Sequence, residues 1–119
     1  MDSFGMKLLR RGDIYLVNFR PDGREGEAAQ IHPAIVVSNN QVNAQAVLIQ
    51  VMPVSSNLER IFRSDVILPN QRTGLEFDSR AQVEMTRAIH VSRLIKPLGV
   101  VPDDLMQTID DRIRDHFNV

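Results

Sequence analysis

The chain has 119 residues, no cysteine and a formal net charge of −1. That length suits one domain that buries roughly two-thirds of its unfolded surface without covalent staples. The absence of thiols excludes a disulfide framework and any cysteine-held metal, His32, His90 and His116 show no metal-ligand spacing, and the apolar runs fall far short of the ~18 residues of a membrane span.

The N-terminus, MDSFGMKLLRR, lacks the apolar stretch of a signal peptide. The expectation is a soluble, cytoplasmic protein with no membrane partner. Residues 1–9 read as an N-terminal extension, with Met6 as an alternative start, and residues 10–119 as a single domain. Gly12-Asp13 then punctuates IYLVNF, a strand with Ile14 and Leu16 on one face and Tyr15, Val17 and Phe19 on the other. RPDGREGEAAQ (20–30) is a long polar loop for so small a domain, and such loops are usually functional or disordered. PAIVVS follows as a buried strand and NNQVN as a polar turn, and AVLIQVMPV (46–54) is a second near-continuous apolar run, in which Pro53 is expected to end central pairing. SSNLER reads as a turn or short helical piece, and QRTGLEFD as a turn at Gly74. RSDVILP (63–69), SRAQVEMTRA (79–88) and RLIKPLG (93–99) read as three more strands.

The last segment changes period. Leu105, Ile109, Ile113 and Phe117 recur every four residues, with Met106 beside them. Asp103 and Asp104 favour the positive end of a helix there, and Arg112, Arg114 and His116 the negative end. Five or six strands followed by one amphipathic helix predict a small curled barrel, mainly β with α. Met52, Met85 and Met106 read as core or interface filler. Charge is unevenly placed. Residues 103–119 hold five acids and two bases, leaving ten acids and twelve bases in the body. Twelve of the fourteen bases are Arg, which suits bidentate phosphate contacts but equally reflects genomic composition.

No P-loop, GxGxxG, GxSxG or paired-histidine motif is present. What remains is a set of polar residues near strand ends. The order of RGDIYLVNF, a loop containing GE, PAIVVSN, a strand ending MPVSS, GLEFDS and VSRL resembles the MazF/PemK toxins, the ribonuclease halves of type II toxin–antitoxin pairs, over about residues 10–118. The resemblance implies an SH3-like barrel of five to seven strands with a C-terminal helix, paired as a homodimer. It implies cleavage of single-stranded RNA without metal or cofactor, by attack of the 2′-hydroxyl to leave 2′,3′-cyclic phosphate and 5′-hydroxyl ends. It also implies a MazE-like antitoxin as partner. Carried over residue by residue, the catalytic candidates are His32, Ser55 and Glu27, and the RNA-binding candidates are Arg24, Ser56, Asp78 and Arg87. His32 occupies the position of the family's catalytic Arg, and of its Gln-x-Arg only Arg87 matches.

Each residue also has a plainer reading. His32 suits a strand-end hydrogen bond, Ser55 and Ser56 a turn, Glu27 a solvated charge, Asp78 a turn-former, and Arg87 an ion pair with Glu84 or Asp78. The alternative functions are a non-catalytic SH3-like toxin of the gyrase-poisoning kind and a simple nucleic-acid-binding module.

Overall fold

The computed structural model describes residues 8–20, 30–45 and 47–119. Seven strands are all paired antiparallel: β1 (Asp13–Asn18), β2 (Ile31–Val36), β3 (Leu48–Ser55), β4 (Val66–Leu68), β5 (Ser79–Ala81), β6 (Arg87–His90) and β7 (Leu94–Val100). Their order is β4-β5-β3-β2-β1-β7, with β6 also on β3. The sheet curls into a half-barrel, and the described residues also hold three α-helices: α1 (Asn40–Gln45), α2 (Asn70–Thr73) and α3 (Asp103–Phe117).

The near-continuous apolar runs have a direct cause, because the central strands are covered on both faces. Ile14, Ile35, Met52 and Val54 join one core cluster with Leu68, Val83, Val101, Met106 and Ile109. Tyr15, Val17 and Phe19 join a second with Ala34, Val36, Ile49, Val51 and Ile89. The face assignment read from alternation in β1 therefore holds. Burial pushes the Tyr15 phenol above its ordinary pKa, and the nearby Asp13 carboxylate adds to the shift.

Several elements depart from the sequence reading, each for a local reason. NNQVN belongs to a helix, α1, because Asn39 accepts the Val42 N–H at 2.9 Å as an N-cap. Asn43 is buried and tied to Ser38 by two bonds of 2.6 and 2.9 Å. The 79–88 segment is two strands, since β3 serves both on one edge: Leu48–Val51 pairs with β6 and Val54–Ser55 with β5. Between them a 3-10 turn, Val83–Met85, sends Val83 into the core. Pro53 does not end pairing, because it sits opposite Ala34 within a strand that runs on to Ser55. A residue's N–H and C=O leave an antiparallel strand on one side, and the Pro53 carbonyl accepts from Gln82 N at 2.9 Å. The missing N–H thus faces the gap between β5 and β6, where no ladder needs it.

RSDVILP supplies only the short β4, preceded by the buried Asp65. QRTGLEFD holds α2, one turn closed by Gly74 at φ 85, so the turn expected at Gly74 is present.

α3 packs Met106 and Ile109 fully into the first cluster, with Leu105 and Ile113 alongside. Burying each such side chain stabilises by about 1.5–3 kcal/mol. Phe117 leaves the expected stripe: it is exposed and meets the His116 ring edge-on at 5.0 Å. Met52 and Met106 are core, whereas Met85 is exposed. Two ion pairs anchor the helix, Arg11 to Asp110 and the fork of Arg72 to Asp104 at 2.7 and 3.0 Å. The Arg72 hydrogen bond holds the Asp104 carboxyl below its ordinary pKa.

Candidate active site

The site begins with register. β2 and β3 pair Val36 with Val51, Ile35 with Met52 and Ala34 with Pro53. Two steps further along the same register lie His32 and Ser55, where the ladder has stopped. Proline causes the stop. Phe19 N donates to Gln30 O at 2.8 Å, so alternate residues of β2 bond to β1 and Pro33 faces β3. Pro33 has no N–H to give the Val54 carbonyl, so the two strands separate beyond this point.

A cleft of about 590 Å³ opens beside this gap, with His32, Pro33, Ser55, Ser56, Phe77 and Lys96 in its wall. Ser55 is half-buried at the end of β3, and its Oγ accepts from Asn57 N at 3.1 Å. His32 is exposed, pairs with Val17 across β1, and its ring centroid lies 6.4 Å from that of Phe19. Phe19 is 8% exposed, and the Arg87 guanidinium lies over its ring at 5.4 Å. Arg87 is paired with Val51, so it shares the face that holds Phe19. Arg93 adds a long contact of 3.5 Å to the Phe19 carbonyl.

The structure thus brings together His32, Ser55 and Ser56, with Arg87 reached through Phe19. Among the described residues, Arg87 makes no ion pair with Glu84 or Asp78. Asp78 is not in the cleft wall. Its Oδ1 accepts from Asn70 N at 2.8 Å and caps α2, in keeping with the plainer reading. Glu27 and Arg24 lie outside the described residues. Sequence reasoning passed over Phe19, Phe77, Arg93 and Lys96. Phe19 looked like core by alternation, and Phe77 like an isolated apolar residue in a turn. Lys96 comes to the cleft only through its pairing with Leu16 on β1. A second cleft of about 570 Å³ lies against the C-terminal half of α3, where Arg63 and Arg112 are offset by Glu84 and Asp115.

Cations set beside an aromatic ring suit a ligand carrying phosphate along one edge and flat bases along the other. Fold and site together define a small half-barrel protein with cationic and aromatic side chains beside a cleft. The chain belongs to the PemK-like, MazF-like toxins of type II toxin–antitoxin systems, whose family model matches residues 10–117. It is 36% identical over 117 residues to Endoribonuclease MazF9 of Mycobacterium tuberculosis, covering 94% of this chain and 98% of that protein. It is 23% identical over 108 residues to Endoribonuclease EndoA of Bacillus subtilis, covering 90% and 92%. A crystal structure of MazE-MazF from Deinococcus radiodurans shares the fold with a TM-score of 0.80 at 22% identity, covering 96% of this chain and 99% of that one. The toxin MazF-mt6 of Mycobacterium tuberculosis does so at 0.75 and 16% identity, covering 90% and 97%.

Proposed function

We propose that the chain is a MazF-type endoribonuclease toxin that cuts single-stranded RNA by internal transesterification. The observation that carries the reading is the arrangement of His32 and Ser55 on either side of the strand gap, with Phe19 and Arg87 beside them. In the reaction, the 2′-oxygen bonds to the adjacent phosphorus and the bond from phosphorus to the 5′-oxygen breaks. The proton of the 2′-hydroxyl is taken up by a base, and one is delivered to the departing oxygen. A 2′,3′-cyclic phosphate and a 5′-hydroxyl result, with no water consumed. The nucleophile comes from the RNA itself, and the proposed scheme uses side chains alone, without metal or cofactor.

His32 transfers a proton or carries charge beside the phosphate. The Ser55 hydroxyl donates to a phosphate oxygen, Glu27 is a second proton-transfer group, and Arg87, Arg24 and Ser56 hold the strand. Asp78 contributes through the α2 cap. Phe77 is exposed and offers a face on which an unpaired base stacks, while the buried Phe19 ring supports Arg87. Duplex RNA keeps its bases stacked and its major groove narrow, so it is a poor substrate. The protein acts in the cytoplasm as a homodimer. A MazE-like antitoxin neutralises it by laying an extended acidic segment along the Arg-bearing face and ordering as it binds.

The test is incubation with a long RNA in EDTA followed by end-group analysis. Cyclic phosphate and 5′-hydroxyl ends are expected, with all-deoxy and duplex substrates resistant. Activity abolished by EDTA and restored by magnesium, or equal cutting of DNA, overturns the reading. Binding of RNA without scission favours the non-catalytic alternative. A monomer at micromolar concentration in sedimentation removes the dimer.

A further inference from the structure

Arg80 lies in the three-residue strand β5 and is 7% exposed, an uncommon place for a guanidinium. Its side-chain contacts all lead to one loop. β5 pairs Arg80 with Ser55 across the ladder. Arg80 Nε donates to the Asn57 carbonyl at 2.8 Å, and its Nη1 to Asp65 Oδ2 at 2.9 Å. The same Asp65 oxygen accepts from Phe62 N at 2.8 Å, and the Arg80 guanidinium lies 5.7 Å from the Phe62 ring. The two ends of the loop that follows β3 are therefore clamped by one buried ion pair. Within that clamp, Asn57 N donates to Ser55 Oγ at 3.1 Å.

We propose that Arg80 is a positioning residue for Ser55. A serine hydroxyl has one proton to donate and two lone pairs. Asn57 N–H occupies one lone pair, fixes the direction of Oγ, and leaves the proton for a phosphate oxygen in the cleft. Arg80 grips the Asn57 carbonyl, in the peptide unit that follows this N–H, and so holds the residue where its N–H meets Ser55 Oγ. The inference rests on the reading of Ser55 as a phosphate donor given above.

The decisive experiment combines cleavage kinetics with amide exchange at Asn57. Arg80→Met is made together with Asp65→Asn, so that no unpaired charge stays buried. Asn57→Pro deletes the N–H while keeping the Arg80–Asp65 pair. Misplacing a reacting group by about 1 Å costs up to ~10²-fold. Both variants are expected to lower kcat by roughly ten- to a hundredfold with KM nearly unchanged, and to add nothing in a Ser55→Ala background. Amide exchange at Asn57 should be slow in the parent chain and markedly faster in the Arg80→Met/Asp65→Asn protein. Parent-like kcat in either folded variant, losses that multiply with Ser55→Ala, or unchanged Asn57 protection each overturn the proposal. If the parent chain cuts no RNA, the functional reading falls, and the exchange measurement still decides whether Arg80 orders this turn.

Discussion

Replacing Gly99 with alanine should damage both stability and the cleft wall. Gly99 lies in β7 opposite Ile14. An added Cβ would sit 1.9 Å from the Thr73 carbonyl oxygen, 3.0 Å from its carbon and 3.4 Å from Gly74 Cα. All three are backbone atoms, so no side chain can rotate away. Restoring ordinary contact requires a displacement of about 1.5 Å. α2 cannot retreat freely by that amount. Thr73 is buried and its hydroxyl donates to Pro69 O at 3.0 Å, Asp78 holds Asn70 N, and Arg72 is forked onto Asp104. Overpacking of this kind costs about 1–3 kcal/mol, which for a domain of this size lowers Tm by roughly 3–15 °C. The displaced residues continue into Leu75 and Phe77, which line the cleft, so RNA cleavage should fall even where the variant is fully folded. Calorimetry and cleavage at a temperature below both transitions test the two parts. A Gly99→Ala protein that melts within about 1 °C of the parent would refute the steric argument.

The remaining predictions concern charge and packing. His32→Gln should lose roughly 10²–10⁴-fold in cleavage rate, whereas His32→Arg should retain activity if the role is charge and lose it if the role is proton transfer, because guanidinium stays charged; near-parental cleavage by folded His32→Gln would return the ring to a structural role. Ile109→Ala removes a fully buried side chain of α3 and should cost about 2–5 kcal/mol in urea unfolding, an expectation defeated by an unchanged midpoint. The depressed Asp104 carboxyl contributes stability that is present above the unfolded pKa and lost as pH falls through the lower folded value; carboxyl NMR should show Asp104 titrating below the ordinary range and moving up in Arg72→Gln, and an unmoved titration would remove the Arg72 explanation.

What was legible in the sequence was whatever depends on period. Alternation in β1 placed Ile14 and Tyr15 on opposite faces, and the four-residue repeat located α3 and most of its buried stripe. What was not legible depends on pairing at a distance. Nothing local shows that one strand, β3, will carry two short partners, so the 79–88 segment read as one continuous strand. The cap on α1 was visible only as another asparagine in a polar run. In the candidate site, His32 and Ser55 are polar residues near strand ends, and the family resemblance singled them out. Lys96 and Phe77 were missed because only the fold brings them to the cleft. Arg80 was missed because an arginine between a serine and an alanine looks like a solvated edge residue until its three partners are assembled.

Two prolines and one buried ion pair give the site its form. Pro33 withholds the donor that would continue the β2–β3 ladder, and Pro53 places its missing donor in the gap between β5 and β6. The ladder therefore ends on one side of β3 just before Ser55, while on the other side β5 still holds Ser55 through Arg80. One edge of the strand is released to make a cleft and the other is retained to keep its end rigid. A group that must present a hydroxyl to a flexible, charged strand needs both properties, and neither proline could move by one residue without transferring its missing donor to the opposite edge.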